Sequence, residues 1–209
     1  MNSTLLRRTG TLIGSLFLAS GVALLTYIGT GISMALTLLV VVLLFGTIGW
    51  LVWQQLPPSR RTFLSRRLRV GVWTGLIATL AYDGCRFALI TLTGIQFWPF
   101  DIFRLFGQAL IGPDQPAIIT EIAGLLFHLL NGVSFAIAYT IWFAPSGVLA
   151  GIGYALVLEA IMVTVYPGWL GLKALDEFLQ VSIVGHLVYG SLVGFLTKRW
   201  TKTPAPYPV

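Results

Sequence analysis

The stretch TLIGSLFLASGVALLTYIGTGISMALTLLVVVLLFGTIGWLVW, Thr11 to Trp53, contains no charged residue. It is about twice the roughly 20 residues that one helix needs to cross a hydrocarbon core. Gly29-Thr30-Gly31 interrupts it near its middle. The stretch therefore reads as two membrane spans joined by a tight turn, and this reading sets the solvent for the rest of the chain.

The remainder agrees. Of 209 residues, 56% are hydrophobic and 10% are charged, against roughly 25% charged in a soluble domain. That composition excludes a soluble enzyme, a disordered tail and a disulfide scaffold, because too little charge is present to cover a water-facing surface. Further apolar stretches predict a third span over about Val70 to Leu92, a fourth over Ala117 to Phe143, a fifth over Gly147 to Tyr166 and a sixth over Phe178 to Leu196. The fold class is an all-α, polytopic membrane protein of six transmembrane helices. Residues 1–57 form an amino-terminal hairpin, 58–69 a basic loop, 70–143 and 144–200 two further hairpins, and 201–209 a Pro-rich, disordered tail. The first hairpin of the core carries an outer segment, 95–116, rich in aromatics from Phe97 to Phe106. It suits an interfacial helix or a lid over a cavity. The second outer segment, Pro167 to Glu177, places Lys173 to pair with Asp176 or Glu177.

Arginines and lysines predict the orientation. Arg7, Arg8, Arg60, Arg61, Arg66, Arg67, Arg69, Lys198, Arg199 and Lys202 all fall on one side of a six-span chain. By the positive-inside rule that side, with both termini, is cytoplasmic, in a bacterial inner (plasma) membrane. The net charge of +6 then calls for no nucleic acid, and anionic membrane lipids are its natural partners. The basic start and apolar run at the amino terminus resemble a signal peptide, but the run continues well beyond Ala19-Ser20, which favours an uncleaved first span. The lone Cys85 forms no internal disulfide.

Spans three to six contain an internal echo. Gly71-Val72-Trp73-Thr74-Gly75 leads to Asp83, and Gly147-Val148-Leu149-Ala150-Gly151 leads to Glu159 at the same offset. His128-Leu129-Leu130-Asn131-Gly132 in span four matches His186-Leu187-Val188-Tyr189-Gly190 in span six. Each hairpin thus carries an acid on one helix and a histidine on the other. This is the pattern of a parallel duplication forming a four-helix polar core. The Gly-x-x-x-Gly starts would let helix backbones approach closely.

Ionisable groups inside spans are costly and point to function. At about 1.5 Å of rise per residue, Asp83 and Glu159 lie roughly 20 and 18 Å from the basic ends of their spans. His128 and His186 lie roughly 16 and 12 Å from the opposite ends of theirs. All four therefore share one layer. Asp83, His128, Glu159 and His186 form a candidate ligand set for a divalent zinc, iron or manganese ion. Arg86 is a candidate clamp for a phosphate or carboxylate headgroup and Glu121 a candidate general base. Tyr82, Asn131, Ser182 and Tyr189 are candidate pocket residues around a lipid or isoprenoid-like substrate. The simpler alternative is an ion pair of Arg86 with Asp83 or Glu159, with the histidines as packing residues. Other expectations are a bis-histidine haem held by His128 and His186, a proton-coupled carrier acting as a homodimer, and an accessory subunit of a membrane complex. None of the familiar hydrolase or nucleotide-binding motifs occurs.

Overall fold

A computed structural model describes the backbone of residues 3–95, 98–170 and 175–202, with side chains over 9–95, 98–165 and 179–202. Every element described is a helix: α1 (Ser3–Leu16), α2 (Ala19–Thr30), α3 (Met34–Gln55), α4 (Pro58–Thr93), α5 (Asp101–Ile111), α6 (Ala117–Phe143), α7 (Val148–Leu170) and α8 (Leu175–Lys202). Five of them are long and apolar enough to cross a membrane, and the bent pair α1–α2 makes a sixth when taken as one span. The chain is a polytopic membrane protein. The pairing of Lys173 with Asp176 or Glu177, and the tail beyond Lys202, lie outside the described residues.

The tight turn between the first two spans is present. Gly31 closes α2 in the left-handed region (φ 73°), and its N–H donates to the Tyr27 carbonyl, a conformation in which glycine has no Cβ penalty. The Ser33 hydroxyl then accepts from the Leu36 N–H to start α3. The expected single first span, however, is broken. α1 and α2 meet at 57° across Phe17 and Leu18, whose N–H groups donate to Gly14 and Ser15 three residues back. The Ser15 hydroxyl also donates to the Thr11 carbonyl, a local competition that bends helices.

The basic segment 58–69 is not a loop but the first third of α4. Pro58 stands in its first turn, where the missing N–H costs nothing. At 36 residues this helix is about 54 Å long by the usual helical rise, well beyond a hydrocarbon core of about 30 Å. Its arginines hold other helices by their carboxyl ends. Arg61 donates to the carbonyls of Gln54 and Leu56 at the end of α3. Arg67 donates to Ile141 and Ala144 at the end of α6 (2.6 and 3.0 Å), and Arg66 to Trp200 near the end of α8 (3.1 Å). Each contact satisfies carbonyls with no partner in their own helix and places positive charge at a negative helix terminus.

α4 is the central element, packed on both α6 and α8, while α7 packs on α8 and α5 on α6. The Gly-x-x-x-Gly starts act as expected. A Cβ on Gly75 would lie 2.6 Å from the Val133 Cα in α6, and one on Gly190 would lie 2.6 Å from the Gly151 carbonyl oxygen in α7. The two hairpins also share a register. Gly132 faces Thr79, four residues before Asp83, and Gly190 faces Ala155, four residues before Glu159. Buried Tyr139 joins them, packing on the Tyr154 ring and donating to the Gly147 carbonyl at 3.0 Å.

α6 and α7 are joined by a short turn but touch little along their lengths. Near that turn the Tyr154 hydroxyl donates to the Phe135 carbonyl. Beyond it the helices diverge, leaving a wedge backed by α4 and α8. Pro99 and α5 line one side of this space. α5 presses against α6, with Gly107 against Thr120 and Gly124 against Phe103. Phe106 is buried with Leu24, Met34 and Phe127. α3 stands at the margin with Leu39, Leu43 and Trp50 exposed, as a lipid-facing helix does.

If the arginines cap α3, α6 and α8, Arg67→Gln loses two charge-assisted bonds and about 1–2 kcal/mol of stability, while Arg69→Gln, at an exposed position, changes little. Thermal unfolding in mild detergent checks this; equal effects would show that the caps do not matter.

Candidate functional site

Thr79, Tyr82, Asp83 and Arg86 recur at helical spacing on the inner face of α4. Asp83 holds two partners. One oxygen meets Arg86 Nη1 at 3.3 Å and the other meets His128 Nε2, on α6, at 3.0 Å. Arg86 is 5% exposed. Its Nη2 donates to the Pro99 carbonyl at 2.8 Å, and its plane lies over the rings of Tyr82 and Phe100. The fork expected to clamp a headgroup is thus already occupied within the protein, and only Nε is left buried without a partner.

The second hairpin repeats the acid–histidine pairing. Glu159 on α7 is 4% exposed. Its Oε2 accepts from the Ser182 hydroxyl at 2.8 Å and lies 2.7 Å from His186 Nδ1, both on α8. His186 Nδ1 also lies 3.0 Å from the Ser182 carbonyl. Both neighbours accept, so Nδ1 carries a proton. In His128 the nitrogen on the carboxylate is Nε2, which leaves Nδ1 as the basic position. The two histidines therefore turn opposite ring nitrogens to their carboxylates, each oriented by its own acid.

The pairs are bridged by Tyr82, whose ring contacts His128 at 5.9 Å and His186 at 5.1 Å between centroids. The four residues expected to converge on one metal ion are thus two separate pairs. Among the described residues no three His, Cys, Asp or Glu side chains gather as a ligand set. Each pair provides two donors, half of a tetrahedral shell.

A cavity of about 420 Å³ opens beside these groups. Arg86, His128, Asn131, His186, Tyr82 and Tyr189 line its polar wall. Tyr189 spends its hydroxyl on the Gly132 carbonyl (2.6 Å), whereas the Asn131 Oδ1 is buried without a partner. Ser182 is buried behind the wall as a partner of Glu159. The candidate base Glu121 is exposed on α6 and does not line the cavity: its seven-residue spacing to His128 gives a similar helical phase, but Glu121 lies two turns nearer the helix start.

The opposite wall was silent in the sequence because it is aliphatic. Leu18, Val22 and Leu25 come from the α1–α2 break and α2, and Leu158, Ile161 and Met162 from α7. α5 adds Asp101, Ile102, Leu105 and Phe106. Thr79 also lines the cavity with its hydroxyl unpartnered; its position four residues before Asp83 is the one sequence signal that could have found it.

Because Arg86 and Asp83 neutralise each other inside the bundle, Asp83→Leu leaves a buried guanidinium unpaired and costs about 3–5 kcal/mol, and Asp83→Leu/Arg86→Met recovers most of it. Unfolding of the three proteins in detergent tests this, and no recovery in the double variant would refute the pairing.

Compared with known proteins, the chain matches no family model, no curated protein and no solved structure.

Proposed function

We propose that this protein binds an amphiphile, lipid-like or isoprenoid-like, inside the membrane. The observation that carries this reading is the two-sided cavity. One wall presents both histidines, Asn131 and Arg86, and the other presents the aliphatic side chains of α2 and α7. Few convergent polar groups in a mainly apolar pocket are the usual design of a small-molecule site, and intramembrane ionisable groups ordinarily mark function. Val22, Leu25 and Ile161 line the cavity while each remains more than a third exposed. The rim between α2 and α7 is thus open sideways, and a tail can extend from the cavity into the surrounding lipid while the head sits on the polar wall.

Ile161→Trp fills the apolar side without touching the polar groups. Native mass spectrometry of protein purified in mild detergent is expected to show a retained amphiphile, and this variant is expected to lose it while keeping its unfolding temperature. Absence of any retained amphiphile, or retention unchanged by Ile161→Trp, counts against the proposal.

The carboxylate–histidine pairs favour a second reading on top of binding, in which the site exchanges protons with its ligand. Nδ1 of His128 and Nε2 of His186 are the basic positions, each on a ring oriented by a carboxylate as in general acid–base sites.

The same reading includes an orientation in a bacterial inner membrane. The arginine-rich start of α4 and the end of α8 face the cytoplasm, by the positive-inside bias, and the cavity lies toward the other face. With Cys85 replaced by Ser, a membrane-impermeant maleimide is expected to label Asp114→Cys in intact cells and Ser59→Cys only after permeabilisation. The reverse pattern would overturn the orientation.

A further inference from the structure

The charges around the cavity say what kind of head group it accepts. Asp83 and Glu159 are within the bundle and Asp101 lines the cavity from α5, against a single cation, Arg86. The Arg86 fork is occupied by Asp83 and the Pro99 carbonyl. A phosphate or carboxylate placed here would find no free guanidinium fork to pair with and would lose its own hydration.

The unmet hydrogen-bonding capacity is of mixed sign. Arg86 Nε is a donor, Asn131 Oδ1 an acceptor, and Thr79 Oγ1 either; all three are buried without partners, on residues that line the cavity. Arg86 and Thr79 are 5% and 2% exposed. Glu159 Oε1, behind His186, is a further unpartnered acceptor. Leaving such groups unpaired is costly. A group that both accepts and donates would satisfy them without adding charge.

We propose that the head group bound in this cavity is uncharged, a hydroxyl- or carbonyl-bearing head on a long apolar tail, and not the phosphate or carboxylate of an anionic lipid. The inference rests on the amphiphile reading above and specifies its ligand. The head lies against Arg86, Thr79 and Asn131, and a small shift of their side chains brings the unpartnered atoms to its oxygen and hydroxyl. The tail lies along Leu25, Leu158 and Ile161 toward the opening between α2 and α7.

Farnesol and farnesyl phosphate share one tail and differ only in the charged group, so they isolate the head. The intact protein in neutral detergent is offered an equimolar mixture, and bound masses are read by native mass spectrometry, with Ile161→Trp giving the background of non-specific uptake. The expected result is at least a tenfold preference for the alcohol above that background, reduced several-fold in Asn131→Leu with unchanged unfolding temperature. Equal or greater site-specific uptake of the phosphate overturns this inference and leaves the amphiphile reading standing. Uptake of neither compound above the Ile161→Trp background defeats the amphiphile reading, and this one with it.

Discussion

A carboxylate inside a hydrocarbon-spanning bundle must be paired, and in this protein each is paired with a histidine from the other helix of its own hairpin. The remaining structure is arranged around that requirement. A short acid reaches a histidine across two helices only where their backbones approach closely, and glycines on the facing surfaces supply the approach: Gly75 and Gly132 in one hairpin, Gly151 and Gly190 in the other. The equal offsets from glycine to acid and from histidine to glycine carry a mechanical meaning, since they bring both pairs into register at one level. The repetition stops at the chemistry. His128 uses Nε2 and His186 uses Nδ1, and only the first carboxylate also holds an arginine.

Closure of the polar groups on one another explains why the cavity is mixed in character. Arg86 is consumed by Asp83, Pro99 and two aromatic rings, and Tyr189 by a backbone carbonyl. The residues that line the polar side of the cavity carry a small set of unpartnered hydrogen-bonding atoms and two oriented imidazoles. The volume itself comes from backbone geometry. α6 and α7 spread from a short turn, α4 and α8 stand behind them, and α5 and the bent α1–α2 pair close two sides. The inner faces of α4, α6 and α8 build the polar wall, and aliphatic side chains of α2, α5 and α7 build the other.

Much of the fold could be read from composition, because a bilayer imposes length and apolarity on each span. Ala117 to Phe143 was legible to the residue at both ends, since Pro116 and the Ala144-Pro145 step bracket it. The break at Phe17-Leu18 was not, as no proline marks it. Residues 58–69 looked like a loop because charge suggests solvent, yet arginine is a good helix former and here has carbonyls to cap. For the site, sequence spacing placed Asp83, His128, Glu159 and His186 at one depth but could not say which helices adjoin. Depth is an axial coordinate, and the lateral arrangement that separates the four into two pairs comes from the glycine contacts. The aliphatic wall could not be distinguished from ordinary lipid-facing surface by residue type.

The arginines at the start of α4 have a consequence for any attempt to engineer how this chain inserts. In the proposed orientation Arg61, Arg66 and Arg67 belong to the cytoplasmic charge cluster, and they also hold the ends of α3, α6 and α8. Reversing their charge would not present the translocation machinery with the same bundle upside down. It would release three helix ends at once, so a change of charge at these three positions is also a change to the assembly of the bundle, whereas Arg69 can be altered without it.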